Sequence, residues 1–269
     1  MFQLKTNQAL CQNINSIQPQ LIYYGRGVVD SRWQGEVNSP VLSRLYYIVS
    51  GECRMVFSKS RELRLTSGNW YFIPAGSSFS YSCNDRMDHI YIHLKLCDVD
   101  GIDILHQCKG PVQIPLDQDD TVDYFTQGLE CRGTLECLRI RHRIIEILLL
   151  MIEKEEVSLE STKLSPCVLR AIQYIRKNLS VQLTTSQIAE AAEVSESTLS
   201  KRFRQELSMS IHDYVENLVF SEAVTLLRES DIPIMSISER YGFCDQFYFS
   251  RRFKEKIGSS PRNFRKVFV

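Results

Sequence analysis

The chain has 269 residues, 43% of them hydrophobic and 24% charged, enough for two compact domains with their own cores. Its 32 basic and 32 acidic side chains cancel, so the overall charge names no partner. Nine cysteines, an odd number with no C-x-x-C pair, exclude a disulfide framework or a zinc ribbon and fit reduced, mostly buried thiols. The longest oily stretch, Ile144 to Ile152, is broken by Glu146 and is too short to span a bilayer. The start, Met1-Phe2-Gln3-Leu4-Lys5, lacks the charged-then-apolar pattern of a secretion signal. A cytoplasmic protein with no membrane contact is expected.

From Leu21 to Leu96 short strands alternate with turns. Leu45-Tyr46-Tyr47-Ile48-Val49 runs into Ser50-Gly51-Glu52, and Cys53-Arg54-Met55-Val56-Phe57 follows. Next come the turn Ser67-Gly68-Asn69, the strand Trp70-Tyr71-Phe72-Ile73 and the turn Pro74-Ala75-Gly76. β-Branched and aromatic residues between closely spaced turn signals predict an all-β sandwich or barrel. His89 to Leu94 alternates strictly, with His89, Tyr91 and His93 on one face and Ile90, Ile92 and Leu94 on the other.

After Pro115 the period becomes helical. One helix is predicted over Asp119–Glu130 and a longer one over Thr134–Glu155, where Leu135, Leu138, Ile145, Leu148, Leu149 and Ile152 form an apolar stripe. Glu153 to Ser165 is polar and stops before Pro166, as a linker would. The expected division is 1–156, a linker at 157–165, and 166–269. Residues 1–160 hold 16 basic and 20 acidic side chains, and residues 161–269 hold 16 and 12, so the second part carries a mild cationic field.

That second part repeats itself. Leu199-Ser200-Lys201-Arg202-Phe203-Arg204 matches Phe249-Ser250-Arg251-Arg252-Phe253-Lys254 in chemical type at every position, at an offset of about 50 residues. Leu207/Ile257, Ser210/Ser260 and Tyr214/Phe264 continue the match; upstream, Ile188-Ala189-Glu190 mirrors Ile237-Ser238-Glu239, and Val194 mirrors Phe243. Each copy follows the physical rules of a helix-turn-helix. A small residue (Ala189, Ser238) permits close helix approach, an apolar residue (Val194, Phe243) plugs the turn, and Ser195 or Asp245 can cap the next helix. Leu199, Phe203 and Leu207 then share one face, as do Phe249, Phe253 and Ile257. The opposite faces show Ser197, Lys201 and Arg204, and Phe247, Arg251 and Lys254. A solvated basic face is the ordinary fate of such charges, but two matching faces point to nucleic acid. A helix predicted over Ser210–Arg228 separates the copies by about 28 Å, close to the roughly 34 Å between successive major-groove faces. The residues placed on DNA are Ser197, Ser200, Lys201, Arg202, Arg204, Gln246, Phe247, Arg251, Arg252 and Lys254.

Leu183 to Lys266 resembles the DNA-binding domain of the AraC/XylS family of bacterial regulators. The residues carrying the likeness are Ile237-Ser238-Glu239-Arg240-Tyr241-Gly242-Phe243, then Gln246 to Lys254, then Gly258-Ser259-Ser260-Pro261-Arg262-Asn263-Phe264-Arg265. The sequence departs from the pattern at Val219, where Arg is usual, at Ser208 for Gly, and at Phe247 for a small polar residue. Phe247 would put apolar contact, as to a thymine methyl, where relatives place a hydrogen bond.

The resemblance extends more weakly to the first part, which is similar to the family's cupin-like sensor barrel. It implies an α+β protein: a cupin-like β-barrel with dimerisation helices, followed by an all-α domain of two helix-turn-helix units. It further implies a DNA operator, RNA polymerase and a small-molecule inducer as partners, activation, and a homodimer formed through the Thr134–Glu155 helix. Sugar-binding relatives place ligand contacts at positions matching Tyr81, His89 and Tyr91, and Arg32, Trp33, Arg44 and Tyr46 could line the same cavity. Metal-binding cupins have a His where this chain has Phe79, and His89 with His93 makes no adequate ligand set, so no metal, cofactor or catalysis is expected. A barrel used only for dimerisation or partner binding is the alternative, and a cupin-type metal enzyme a remote one.

Overall fold

The computed structural model describes residues 14–15, 17–38, 40–57, 61–98, 102–108, 110–115, 121–130, 133–154, 164–207 and 209–268. The chain divides into two compact units, Met1–Gly35 with Leu42–Val157, and Glu36–Val41 with Ser158–Val269. Most of the expected linker lies outside the described residues, as does Ser208.

The described strands are β1 (Gln18–Val29), β2 (Gln34–Val37), β3 (Ser43–Ser50), β4 (Glu52–Phe57), β5 (Glu62–Thr66), β6 (Asn69–Ile73), β7 (Phe79–Ser82), β8 (Met87–Cys97) and β9 (Val112–Pro115). They form a five-stranded sheet in the order β1-β8-β3-β6-β9 and a four-stranded sheet in the order β2-β7-β4-β5. The pairings of β8 with β1 and β3, of β6 with β3 and β9, and of β4 with β5 and β7 are antiparallel. The turns read from the sequence hold: Gly51, Gly68 and Gly76 sit at φ of 79°, 78° and 82°. Strand β1 starts three residues ahead of the stretch where strands are expected from Leu21 onward. Gly25 makes room for a neighbour, since a Cβ there would collide with the hydroxyl end of Tyr91 on the adjoining strand.

Strict alternation gives the larger sheet two unlike faces. Leu45, Tyr47, Ile90, Ile92 and Leu94 lie on one face and are all buried. On this side Phe125 of helix α1 (Thr121–Gln127) meets Tyr24 and Trp70 at ring distances of 6.1 and 5.1 Å. Helix α2 (Thr134–Lys154) buries Ile144, Ile147, Leu148, Met151 and Ile152, and Lys154 Nζ donates to Gln113 O of β9 at 2.6 Å. Each such side chain contributes about 1.5–3 kcal/mol. The stripe expected on this helix splits: Leu148 and Ile152 are buried, whereas Leu135, Leu138 and Leu149 are exposed.

The second unit comprises α3 (Pro166–Lys177), α4 (Thr185–Ala191), α5 (Glu196–Leu207), α6 (Ile211–Glu229), α7 (Ile234–Arg240), α8 (Gln246–Ile257) and α9 (Pro261–Phe268). Helix α6 is its spine, burying Ile211, Tyr214, Val215, Val219, Phe220, Ala223, Val224 and Leu227. Phe220 collects the second helix pair around itself, with Phe243, Phe249 and Phe253 at 5.8, 6.1 and 6.0 Å. Phe203 meets Tyr214 at 5.4 Å to anchor the first. Among the described residues no helix is long and apolar enough to cross a membrane.

Candidate functional site

The duplication read from side chains is repeated in the backbone. Helix α4 opens on a capping box, with Thr184 Oγ1 accepting from Gln187 N and Gln187 Oε1 accepting from Thr184 N. It closes with Glu193 N donating to Glu190 O at 3.0 Å and Val194 N to Ala189 O at 3.1 Å. Helix α7 closes the same way, Gly242 N to Glu239 O and Phe243 N to Ser238 O, both at 3.0 Å. These are paired Schellman bonds, which need a left-handed residue just past the helix. Gly242 supplies it at φ 79°; in the first copy Glu193 adopts φ 57°, a conformation disfavoured by roughly 1–2 kcal/mol. Arg170 offsets this by donating to Ala192 O at 2.8 Å and reaching the Glu193 carboxylate at 3.6 Å.

The turns deliver the chain into α5 and α8. Ser195 Oγ accepts from Thr198 N at 3.3 Å, and Asp245 Oδ1 accepts from Tyr248 N at 2.7 Å. That backbone bond holds the Asp245 carboxyl below the usual carboxylate range. Leu199, Phe203 and Leu207, and Phe249, Phe253 and Ile257, are buried as their spacing predicts. The outward faces carry Ser197, Ser200, Lys201, Arg202 and Arg204 on α5 and Phe247, Arg251 and Lys254 on α8, all exposed. Phe247 is 84% exposed, and Arg251 lies 5.3 Å above the Tyr248 ring. Gln246, at the start of α8, is half-buried.

Arg252 does not join that face. Its Nε donates to Glu216 Oε1 of α6 at 3.0 Å, and Glu255 takes another nitrogen. Lys256 Nζ holds the second Glu216 oxygen at 3.0 Å. Burial pushes the Glu216 carboxyl up, but the two cations more than offset it and leave it below its usual range. Sequence reasoning grouped Arg252 with Arg202 by the repeat and missed the carboxylate that α6 places beside only one of them. Among the described residues His212, Asp213 and Glu216 form the one trio with ligand atoms within 4.8 Å, yet Glu216 is already held by two cations.

In the first unit, the inner face of the larger sheet brings the other predicted residues together. Arg44, Tyr46, His89, Tyr91 and His93 stand in register on β3 and β8. Trp33 closes over them from the smaller sheet's side, 4.3 Å from Tyr81 and 5.7 Å from His89. Tyr46 lies 5.9 Å from His89, and Tyr91 lies 5.7 Å from the same ring. Burial pulls the His89 pKa down to about 4 and pushes the Tyr46 hydroxyl up to about 12. Arg32 is placed elsewhere: its side chain is 89% exposed and bound to Asp30 in the turn after β1. His93 and Tyr23, not selected from the sequence, belong to this face, with ring centroids 5.0 Å apart. Period-2 alternation already carried the signal for His93.

Residues 188–267 match the family described as a helix-turn-helix domain. The arabinose operon regulatory protein of Escherichia coli is 38% identical over 99 residues, which is 36% of this chain and 34% of that protein. The C-terminal unit carries an AraC-type helix-turn-helix domain. The xylose operon regulatory protein of Haemophilus influenzae matches the same region at 33% over 100 residues, covering 37% of this chain and 26% of that protein. The match spans about a third or less of the length of these two curated relatives. The Msm operon regulatory protein of Streptococcus mutans is 24% identical over 267 residues, 94% of this chain and 95% of that protein. Wild-type ToxT of Vibrio cholerae, solved with an unsaturated fatty acid bound, shares the fold, with a TM-score of 0.61 at 11% identity over 96% of this chain and 97% of that one.

Proposed function

We propose that this protein is a cytoplasmic, non-enzymatic transcription regulator that grips double-stranded DNA through both helix-turn-helix units. The observation that carries the reading is the pair of exposed basic faces on α5 and α8, presented by two copies of one backbone motif. Ser197, Ser200, Lys201, Arg202 and Arg204 meet one stretch of groove, and Gln246, Phe247, Arg251 and Lys254 the next. The two sheets form a cupin-like barrel whose inner face senses a small polar ligand, through Trp33, Arg44, Tyr46, Tyr81, His89 and Tyr91. The names of the arabinose and xylose operon regulators support such an input, and the fatty acid held by ToxT supports a bound small molecule in this fold without bearing on its polarity. The exposed Leu135, Leu138 and Leu149 of α2 pair two copies into a homodimer, and RNA polymerase is the downstream partner.

The test is binding to a duplex selected from random sequence. Lys201→Ala and Arg251→Ala each weaken it by about 1–3 kcal/mol if they read bases. Undiminished affinity in the double variant refutes their assignment. Affinity also falls steeply with added salt as phosphate contacts release counterions.

A further inference from the structure

Arg44 is a buried cation without a counter-charge among the described residues. It sits in β3, paired with His93 on one side and Ile73 on the other, and is 3% exposed. Its guanidinium carbon lies 5.5 Å from the Phe79 ring of the opposite sheet. A guanidinium does not release its proton near neutrality, so this is a full charge held away from water. Arg26, Arg143 and Arg252, all less buried, each meet a carboxylate: Asp88, Glu146 and Glu216. Arg44 instead donates to Leu42 O at 3.3 Å and shares a hydrogen bond with the Tyr46 hydroxyl. The other groups that sense its charge are the Tyr23 and Tyr81 hydroxyls, neutral at pH 7.

A second observation points to a ligand at the same place. The Nδ1 atoms of His89 and His93 are buried with no hydrogen-bond partner among the described residues, although buried polar atoms are normally satisfied. His89 is 4% exposed, and its ring stands among Trp33, Tyr46 and Tyr91. Burial holds both imidazoles neutral, and the Arg44 charge pushes His93 the same way, so neither is a rival cation. Trp33, Tyr81 and Tyr91 are only half-buried and form the open side of this face.

We propose that this face binds a carboxylate carried on a small hydroxylated molecule, a sugar acid rather than a neutral sugar, with Arg44 taking the carboxylate and His89 and His93 taking hydroxyls. This rests on the ligand-sensing reading above and narrows the class of its ligand. A carboxylate supplies the missing charge and two acceptors for the guanidinium fork. A neutral sugar offers hydrogen bonds but leaves the cation uncompensated.

The test is thermal unfolding of the full chain with galacturonate or gluconate, against galactose or glucose at matched ionic strength. The expected result is that an acid raises the Tm of the wild type while its neutral counterpart does not. In Arg44→Met the acid's half-saturating concentration rises at least about tenfold; Arg44→Lys, which keeps a charge, retains a weakened response. Arg44→Met also unfolds at a higher temperature than wild type when no ligand is added, because an uncompensated charge is gone. If Arg44→Met fails to fold, the acid-versus-neutral comparison in wild type and Arg44→Lys decides. No stabilisation by either acid, an equal response to acid and neutral sugar, or a response unchanged in Arg44→Met overturns the proposal. DNA affinity measured on the same samples separates the two failures: duplex binding with no acid effect sinks the ligand class alone, whereas absence of duplex binding sinks the regulator reading.

Discussion

Replacing Glu216 by Gln tests how the second helix-turn-helix is held to the spine of its unit. The Glu216 side chain is 7% exposed and Lys256 5%, with their charged atoms 3.0 Å apart. Arg252, at 28%, is partly wet and its share must be discounted. Glu255 already engages Arg252, so loss of Glu216 leaves Lys256 as a buried cation without its partner. Breaking a buried pair from one side costs about 3–5 kcal/mol, and the wet Arg252 puts the expectation near the lower figure. Adding Lys256→Met removes the stranded charge and recovers most of the loss, since apolar replacement of a buried pair is often neutral. Hydrogen exchange of the α6 and α8 amides in the full chain reads the opening of this unit without requiring two-state unfolding. A loss under about 1 kcal/mol, or no recovery in the double variant, refutes the account. Because the folded Glu216 pKa is depressed, its contribution is present above the usual carboxylate range and is lost as pH falls through the folded value.

Other outcomes follow from single positions. His89 has a folded pKa of about 4 against an ordinary value of 6.5, so its neutral form supports the fold above pH 6.5 and costs up to about 3 kcal/mol as pH falls toward 4. Urea midpoints of His89→Phe, measured across that window, lose part of the wild-type slope; an unchanged slope disproves the assignment. Phe247→Ser leaves Tm within a degree or two, because the ring is 84% exposed, but shifts the base preference in selected duplexes. Leu135→Lys with Leu138→Lys, at residues 56% and 57% exposed, leaves the fold intact and converts a dimer to monomer in analytical ultracentrifugation. A dimer that survives both changes places the interface elsewhere.

The C-terminal unit was the more legible because its signals are local. Capping residues, the small residues at Ala189 and Ser238 and the 3.6-residue spacing all act within one or two turns of the residues that reveal them. Arg252 was misplaced because its partner sits 36 residues away on α6, beyond the reach of any periodicity. Gly25 in β1 likewise answers to Tyr91 on another strand, not to its own neighbours. The alternation of β8 correctly put His89, Tyr91 and His93 on one face. It could not show that Arg44 joins them with no acid in reach among the described residues, while Arg32, twelve residues earlier, turns outward to Asp30.

The loop between α3 and α4 lies on the turn of the second helix-turn-helix. Val181 N donates to Tyr241 O and Gln182 Nε2 to Gly242 O, both at 2.9 Å, and a Cβ on Gly242 would collide with Ser180 and Gln182. The start of one helical pair is thereby stapled to the hinge of the other by one main-chain and one side-chain hydrogen bond, so the angular phase between the two probes is set by this packing rather than by a slack tether. Inserting a single base pair between the two halves of a bound sequence rotates one half by roughly 35° about the duplex axis. With the staple intact, either the duplex twists to compensate or one probe lets go.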